Sequence, residues 1–168
     1  MSALHTLIVT VEDKPGVLNR VASLFRRRGY NIDSLTVGHT AEPGVSRMTV
    51  VVDADDDTVG RLEANLYKLV NVLYVENLRG QSAVVRDLAL FKVRAGAGER
   101  AQVLQLCDVF RARVVDVGVE NVVLEITGTP DKIDGLEKVL APYGILEMVR
   151  TGAVAMTRGS ESKLSAVA

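Results

Sequence analysis

The sequence has no tryptophan, one cysteine and two histidines among its 168 residues. A single cysteine excludes a disulfide framework and a cysteine-based metal site within one chain. Cys107 falls on the apolar face of a predicted helix, where we expect a buried small side chain rather than a nucleophile. His5 and His39 are far apart and have no cysteine near them, so they make a poor set of metal ligands. The sequence therefore predicts no metal site.

An excess of charge of one sign is also missing. The 20 basic and 21 acidic residues leave a net charge of −1, which favours neither nucleic acid nor an anionic membrane. The predicted strand at 47–52 carries no aromatic side chain of the kind that an RNA-binding sheet displays. No stretch reaches the roughly 20 apolar residues of a membrane span, and no leader or transit pattern is visible. We expect a cytoplasmic protein that binds neither nucleic acid nor membrane.

The motifs of catalysis are absent as well. The sequence contains no Walker loop and no dinucleotide-binding glycine fingerprint, and no nucleophile lies beside a histidine base. The acidic residues concentrate at 53–57, where they fit the start of a helix. A buried catalytic carboxylate pair stays open as an alternative, although the sequence shows no environment that would perturb such a pair. These observations favour a binding and assembly protein without a catalytic residue.

What the chain does contain is a repeated order of apolar patterns. Segments whose apolar residues recur every 3.6 residues predict helices, and segments in which apolar and polar residues alternate predict strands. Their order along the chain is β-α-β-β-α-β, the ferredoxin-like unit, and this order then occurs a second time. The predicted strands of the first unit lie at 7–11, 31–37, 48–52 and 70–75, and those of the second at 88–93, 114–117, 122–126 and 145–156. The fold class is therefore predicted as α+β with two ferredoxin-like βαββαβ units.

A polar stretch, Arg79-Gly80-Gln81-Ser82, separates the two units and is typical of a domain boundary. We predict a first domain at 1–79, a linker at 80–86 and a second domain at 87–157. The small, polar residues at 158–168 are predicted to form a flexible tail.

The turn after the first strand reads Asp13-Lys14-Pro15-Gly16-Val17-Leu18. Pro15 suits the first position of a helix, and Gly16 lets another molecule approach the backbone closely. Backbone N–H groups at a helix N-terminus attract carboxylates and phosphates, so a small anionic ligand is predicted here. The alternative is a connection that binds nothing. The second unit has Ala95-Gly96-Ala97-Gly98 instead, and we do not expect it to bind a ligand in the same way.

Three consecutive arginines, Arg26, Arg27 and Arg28, end the first predicted helix before Gly29. Positive charge in a last turn is stabilised by the helix dipole. A solvated last turn is the favoured interpretation, and an anion site is the alternative.

Longer stretches identify a family. Asp-Lys-Pro-Gly-Val-Leu at 13–18 and Arg-Gly-Tyr-Asn-Ile-Asp-Ser-Leu at 28–35 closely resemble the ACT domain of the acetolactate synthase small subunit. Ser-Arg-Met-Thr at 46–49 and Lys-Leu-Val-Asn-Val at 68–72 continue the match. In the second unit, Leu-Ala-Leu-Phe-Lys-Val at 88–93 and Arg-Thr-Gly at 150–152 extend the resemblance over nearly the whole chain.

The resemblance implies a regulatory subunit that binds the acetolactate synthase catalytic (large) subunit, activates it and makes it sensitive to valine. Thiamine diphosphate, Mg²⁺ and FAD would belong to that catalytic partner, and this chain would hold no cofactor. Members of the family form a homodimer through the ACT domain, with the effector at the interface. By correspondence, one chain would supply Asp13, Gly16, Val17 and Leu18, and the other Asn31 and Ile32. Many relatives have asparagine where this chain has Asp13.

Two other classes remain as alternatives. One is a free-standing amino-acid-binding ACT protein that regulates another enzyme. The other is an enzyme on a ferredoxin-like frame, such as a small phosphatase, which would turn over substrate by itself.

Overall fold

The computed structural model describes residues 3–159. Its elements form two units, one built from residues 3–84 together with 153–159, and the other from Val85–Gly152. Apart from positions 158 and 159, the predicted flexible tail lies outside the described residues. Among the described residues, no helix is both long and apolar enough to cross a membrane.

The first unit is a four-stranded antiparallel sheet with two helices. Its elements are β1 (Ala3–Glu12), α1 (Val17–Arg28), β2 (Ile32–His39), β3 (Val45–Ala54), α2 (Asp56–Leu66) and β4 (Val72–Asn77). The strand order is β2-β3-β1-β4, so β2 and β4 are the edges. The predicted βαββαβ order is confirmed.

Alternation along the strands creates the core of this unit. Leu7, Val9 and Val11 of β1 are buried in one cluster with Val21 and Phe25 of α1. Because successive strand residues point to opposite faces, the odd-numbered positions of β1 share the face that the helices cover. The 3.6-residue period of α1 directs its own apolar stripe to the same side.

The second unit repeats the arrangement. Its elements are β5 (Ala83–Arg94), α3 (Arg100–Phe110), β6 (Arg113–Val117), β7 (Asn121–Gly128), α4 (Pro130–Leu140), a 3₁₀ turn (Ala141–Tyr143) and β8 (Ile145–Arg150), followed by β9 (Val154–Thr157). The sheet order is β6-β7-β5-β8, and β9 pairs with β5. The α+β class with two units of one type is thus confirmed. Cys107 is 2% exposed, as predicted, and burial raises the pKa of its thiol.

The prediction of one last strand over 145–156 is wrong, because β8 ends at Arg150 and a separate short strand, β9, begins at Val154 and pairs with the same strand β5. Thr151 lies at the start of this break. Its N–H donates to the Leu88 carbonyl at 2.9 Å, and its hydroxyl accepts the Leu88 N–H at 3.0 Å, so a side chain replaces a backbone carbonyl in the ladder. From Ala153 the chain groups with the first unit, where Arg47 Nη2 donates to the Ala155 carbonyl at 2.8 Å.

Candidate ligand-binding site

The turn between β1 and α1 has a different shape from the one that its proline suggested. The helix begins at Val17 and is capped by Gly16, so the prediction that Pro15 occupies the first helical position is wrong. Gly16 has φ 82° and ψ −5°, the left-handed conformation. The Val17 N–H donates to the Lys14 carbonyl at 3.3 Å. A tight turn therefore precedes the helix, and Gly16 is needed at its end because side chains with a Cβ disfavour positive φ.

The helix N-terminus at Gly16 is open. No side chain caps it, and a Cβ built on Gly16 would meet no other atom within 4 Å. First-turn N–H groups have no acceptor within their own helix. The turn thus combines donors, a positive dipole end and space, which together suit a carboxylate.

Asp13 is fixed beside this turn by two contacts. Its N–H donates to the Gly44 carbonyl at 2.8 Å, and its Oδ2 lies 3.3 Å from His39 Nδ1. His39 ends β2, and sequence reasoning did not connect it to the turn. The missing signal was the register of the hairpin, in which Glu12 pairs with Val45 and His39 with Ser46. That register places the last residues of β1 and β2 at the same end of the sheet, opposite the first residues of β3.

Polar contacts behind the turn hold it to the rest of the unit. Asn71, 8% exposed, donates through Nδ2 to Glu12 Oε2 at 2.5 Å and accepts a hydrogen bond from Arg20 Nη1. The Glu12 N–H donates to the Asn71 carbonyl at 2.9 Å. The hydrogen bond from Asn71, with a smaller contribution from Lys14, lowers the pKa of Glu12. Asn71 thereby ties the end of β1 to α1 on both sides of the turn.

The apolar residues of the turn divide between core and surface. Val17 is 3% exposed and belongs to the core of the unit, whereas Leu18 is 44% exposed. Leu18 is consequently the apolar side chain that a ligand at the turn can reach.

Asn31 and Ile32 lie at the other end of the sheet. Ile32 pairs with Val52, and Val52 pairs with His5, eight residues before Asp13. At roughly 3.3 Å per residue this separates the two groups by about 25 Å along the strands. One chain therefore does not bring all six predicted residues together. Asn31 is exposed and Ile32 is half-buried.

The corresponding turn of the second unit is filled by its own side chain. Arg100 Nη2 donates to the carbonyls of Ala95 at 3.1 Å and Gly118 at 2.8 Å. A Cβ on Gly96 would lie 3.1 Å from a carboxylate oxygen of Glu120. At Gly96 this turn accordingly lacks the open space found at Gly16, although Gly98 has no atom within 4 Å of a built Cβ. Within the described residues, no three His, Cys, Asp or Glu side chains group closely enough to hold a metal ion.

Comparison with known proteins gives the same result for both units. Residues 7–74 match the family described as "AHAS small subunit-like ACT domain", and residues 86–159 match "Small subunit of acetolactate synthase". An acetolactate synthase small subunit from Mycolicibacterium smegmatis is 50% identical over 155 residues, which cover 92% of this chain and 91% of that protein. One from Mycobacterium leprae is 49% identical, with 92% of each chain covered. The crystal structure of an acetolactate synthase small subunit from Thermotoga maritima superimposes with a TM-score of 0.87 at 39% identity, covering 95% of this chain and 99% of that one.

Proposed function

The chain belongs to the family of acetolactate synthase small subunits, and from that premise we propose that it activates the catalytic subunit and confers valine feedback inhibition. It would act in branched-chain amino-acid biosynthesis as the regulatory partner. Thiamine diphosphate, Mg²⁺ and FAD would be held by the catalytic subunit. The observation that supports a valine site at this turn is the open, glycine-capped start of α1.

The division of the candidate residues between two ends of the sheet supports a homodimer. β2 is an edge strand, and the turn with its neighbour His39 lies at one end of it while Asn31 and Ile32 lie at the other. An antiparallel pairing of two β2 strands about a two-fold axis, centred near residues 35 and 36, places the start of one strand against the end of the other. That pairing would complete two equivalent sites, whereas pairing through β4 would complete neither.

Each group of valine then has a chemically suitable neighbour. Its carboxylate would accept N–H groups at the start of α1 near Gly16. Its ammonium would donate to Asp13 or to the Asn31 side-chain oxygen of the second chain. Its isopropyl group would pack on Leu18 and on Ile32 of the second chain. His39, 3.3 Å from Asp13, would donate to the Asp13 carboxylate and reduce its repulsion of the ligand carboxylate.

A titration tests the proposal. The catalytic subunit at fixed concentration is mixed with increasing amounts of this chain, and acetolactate formation is followed with and without valine. We expect a saturable rise in rate, inhibition by valine only when this chain is present, and no acetolactate from this chain alone. The two subunits should also co-purify. A rate that stays flat with the cognate catalytic subunit contradicts the proposed activation, and valine inhibition of equal strength without this chain contradicts the regulatory role.

A further inference from the structure

A second cleft lies in the first unit, at the end of α1 opposite the valine turn. It has a volume of about 450 Å³ and is lined by Leu24, Arg27, Arg28, Asn65, Lys68 and Leu69. Since α1 has 12 residues, its two ends are separated by about 18 Å. The cleft is thus separate from the turn at Gly16, and its volume falls within the range of small-molecule sites.

Positive charges from two elements converge in this cleft. Arg28 Nη2, at the end of α1, lies 3.5 Å from Asn65 Oδ1, and Lys68 Nζ, just beyond α2, lies 3.2 Å from the same oxygen. Among residues 3–159, the ion pairs involve none of Arg27, Arg28 and Lys68. Two cations sharing one neutral oxygen repel each other without a compensating carboxylate.

The helix dipole explains only part of this arrangement. It favours arginines in the last turn of α1, but Gly29 and Tyr30 already donate their N–H groups to the Arg26 and Phe25 carbonyls. It does not explain why Arg28 and Lys68, from different elements, meet at one amide. The floor of the cleft is apolar, because Leu24 is 7% exposed and Leu69 is half-buried and packs against the core.

We propose that this cleft binds a compact organic anion that carries a phosphate or diphosphate group. The phosphate oxygens would accept hydrogen bonds from Arg27, Arg28 and Lys68, since guanidinium groups match phosphate geometry and lysine adds a point charge. The organic part would rest on Leu24 and Leu69. This site is independent of the valine site, and its existence does not rest on the proposed function.

The test uses the full chain and inorganic pyrophosphate as the probe, with binding measured by calorimetry at low ionic strength. We expect saturable binding, and a loss of affinity of roughly ten-fold or more in each of Arg28→Gln and Lys68→Gln, because each removes one charge-assisted contact. Arg26→Gln is the matched control, since it removes a cation from the same helical turn that does not line the cleft. It should change the affinity less than two-fold.

Three outcomes would overturn the proposal. The first is no saturable binding of pyrophosphate by the parent chain at millimolar concentration. The second is an equal loss in Arg26→Gln, which would show attraction to net charge instead of a site. The third is that the chain does not bind pyrophosphate, while Lys68→Gln weakens its association with the catalytic subunit. This result would identify an acidic protein segment as the occupant of the cleft. Valine binding, measured on the same variants, should be unchanged in every case.

Discussion

At Gly16 the backbone conformation decides which substitutions report on the ligand. Its φ of 82° costs an ordinary L-residue roughly 1–2 kcal/mol, whereas asparagine and aspartate adopt the left-handed region more readily than other residues. No atom lies within 4 Å of a Cβ built there, so this cost comes from the backbone and not from a clash. A single charged substitution would therefore combine strain with electrostatic repulsion.

The pair Gly16→Asp and Gly16→Asn separates these two effects. Both add a side chain of nearly the same shape with similar tolerance of positive φ, but only aspartate adds a negative charge beside the ligand carboxylate. Two like charges about 4 Å apart repel by about 1 kcal/mol in water and about 4 kcal/mol at an effective dielectric constant of 20. We expect valine to bind the Asp variant roughly five- to a thousand-fold more weakly than the Asn variant in calorimetry. Equal affinities would remove the valine carboxylate from this turn.

Asn31→Ala tests the other half of the proposed site. Asn31 is exposed, so its truncation should leave the core intact. Loss of a hydrogen bond to a charged group costs about 1.5–3 kcal/mol, and the valine inhibition midpoint should rise roughly ten-fold or more. Activation of the catalytic subunit should persist.

Asn121→Ala is the matched control for Asn31→Ala, because Asn121 also stands at the start of a strand but belongs to the second unit. Its valine inhibition midpoint should match that of the parent chain. An unchanged midpoint in Asn31→Ala would exclude Asn31 from the site.

At the scale of elements, the helices differ in whether a side chain caps their N-terminus. Asp55 caps α2, and its Oδ1 accepts the Thr58 N–H at 2.7 Å. Thr129 precedes α4, where Pro130 takes the first helical position, but the threonine side chain makes no capping hydrogen bond. The residue type at a cap thus indicates where a helix begins but does not establish that the capping bond forms.

The cap of α2 predicts a pH dependence. The hydrogen bond from the Thr58 backbone lowers the pKa of Asp55 below its usual value, which is about 3.9. A carboxyl group with a lowered pKa stabilises the fold fully above that usual value, and the stabilisation is lost as the pH falls through the folded-state pKa. Asp55→Asn keeps an acceptor but does not titrate. We therefore expect the parent chain to lose more thermal stability than Asp55→Asn between pH 5 and pH 2.5, as followed by circular dichroism. Parallel losses would mean that Asp55 contributes nothing to acid sensitivity.

At the scale of the whole molecule, the proposed dimer depends on an edge strand. Val37 of β2 is 42% exposed, and exposed edge strands are surfaces on which another strand can pair. Val37→Lys should weaken dimerisation at least ten-fold in sedimentation equilibrium, because a lysine from each chain would be brought close to the same two-fold axis. Valine binding should weaken in parallel, since each proposed site needs both chains.

Val117→Lys provides the control for this experiment. Val117 lies on β6, the edge of the second sheet, and is 56% exposed. A dimer that survives Val37→Lys but is lost in Val117→Lys would locate the interface in the second unit instead. A dimer that survives in both variants would exclude both β2 and β6 as the dimer interface.

The boundary between the units is also a property of the whole molecule. We propose that residues 80–86 join an ACT domain at 1–79 to a second domain at 87–157. In the structure β5 already begins at Ala83, and the turn before it is held by a bond from the Gln81 N–H to the Leu78 carbonyl at 3.1 Å. The return of the chain from Ala153 onward to the first unit gives the two units a second covalent connection.

The sequence by itself determined the class of fold and the family, because both depend on short-range patterns. The alternation of Leu7, Val9 and Val11 and the helical spacing of Val17, Val21 and Phe25 require only neighbouring residues to be read. The six residues proposed for the valine site were likewise named from contiguous motifs. Their arrangement was beyond the sequence, since strand register sets the distance between Asp13 and Asn31.

Only the tertiary structure decided the features that long-range pairing controls. The positive φ of Gly16, the contact between Asp13 and His39 and the meeting of Arg28 and Lys68 at Asn65 depend on how separate elements are packed and paired. The same is true of the break between β8 and β9, where the Thr151 hydroxyl accepts a backbone N–H from Leu88. Composition and periodicity carry no information on such contacts, because each is fixed by the free energy of the assembled sheet and helices rather than by any single segment.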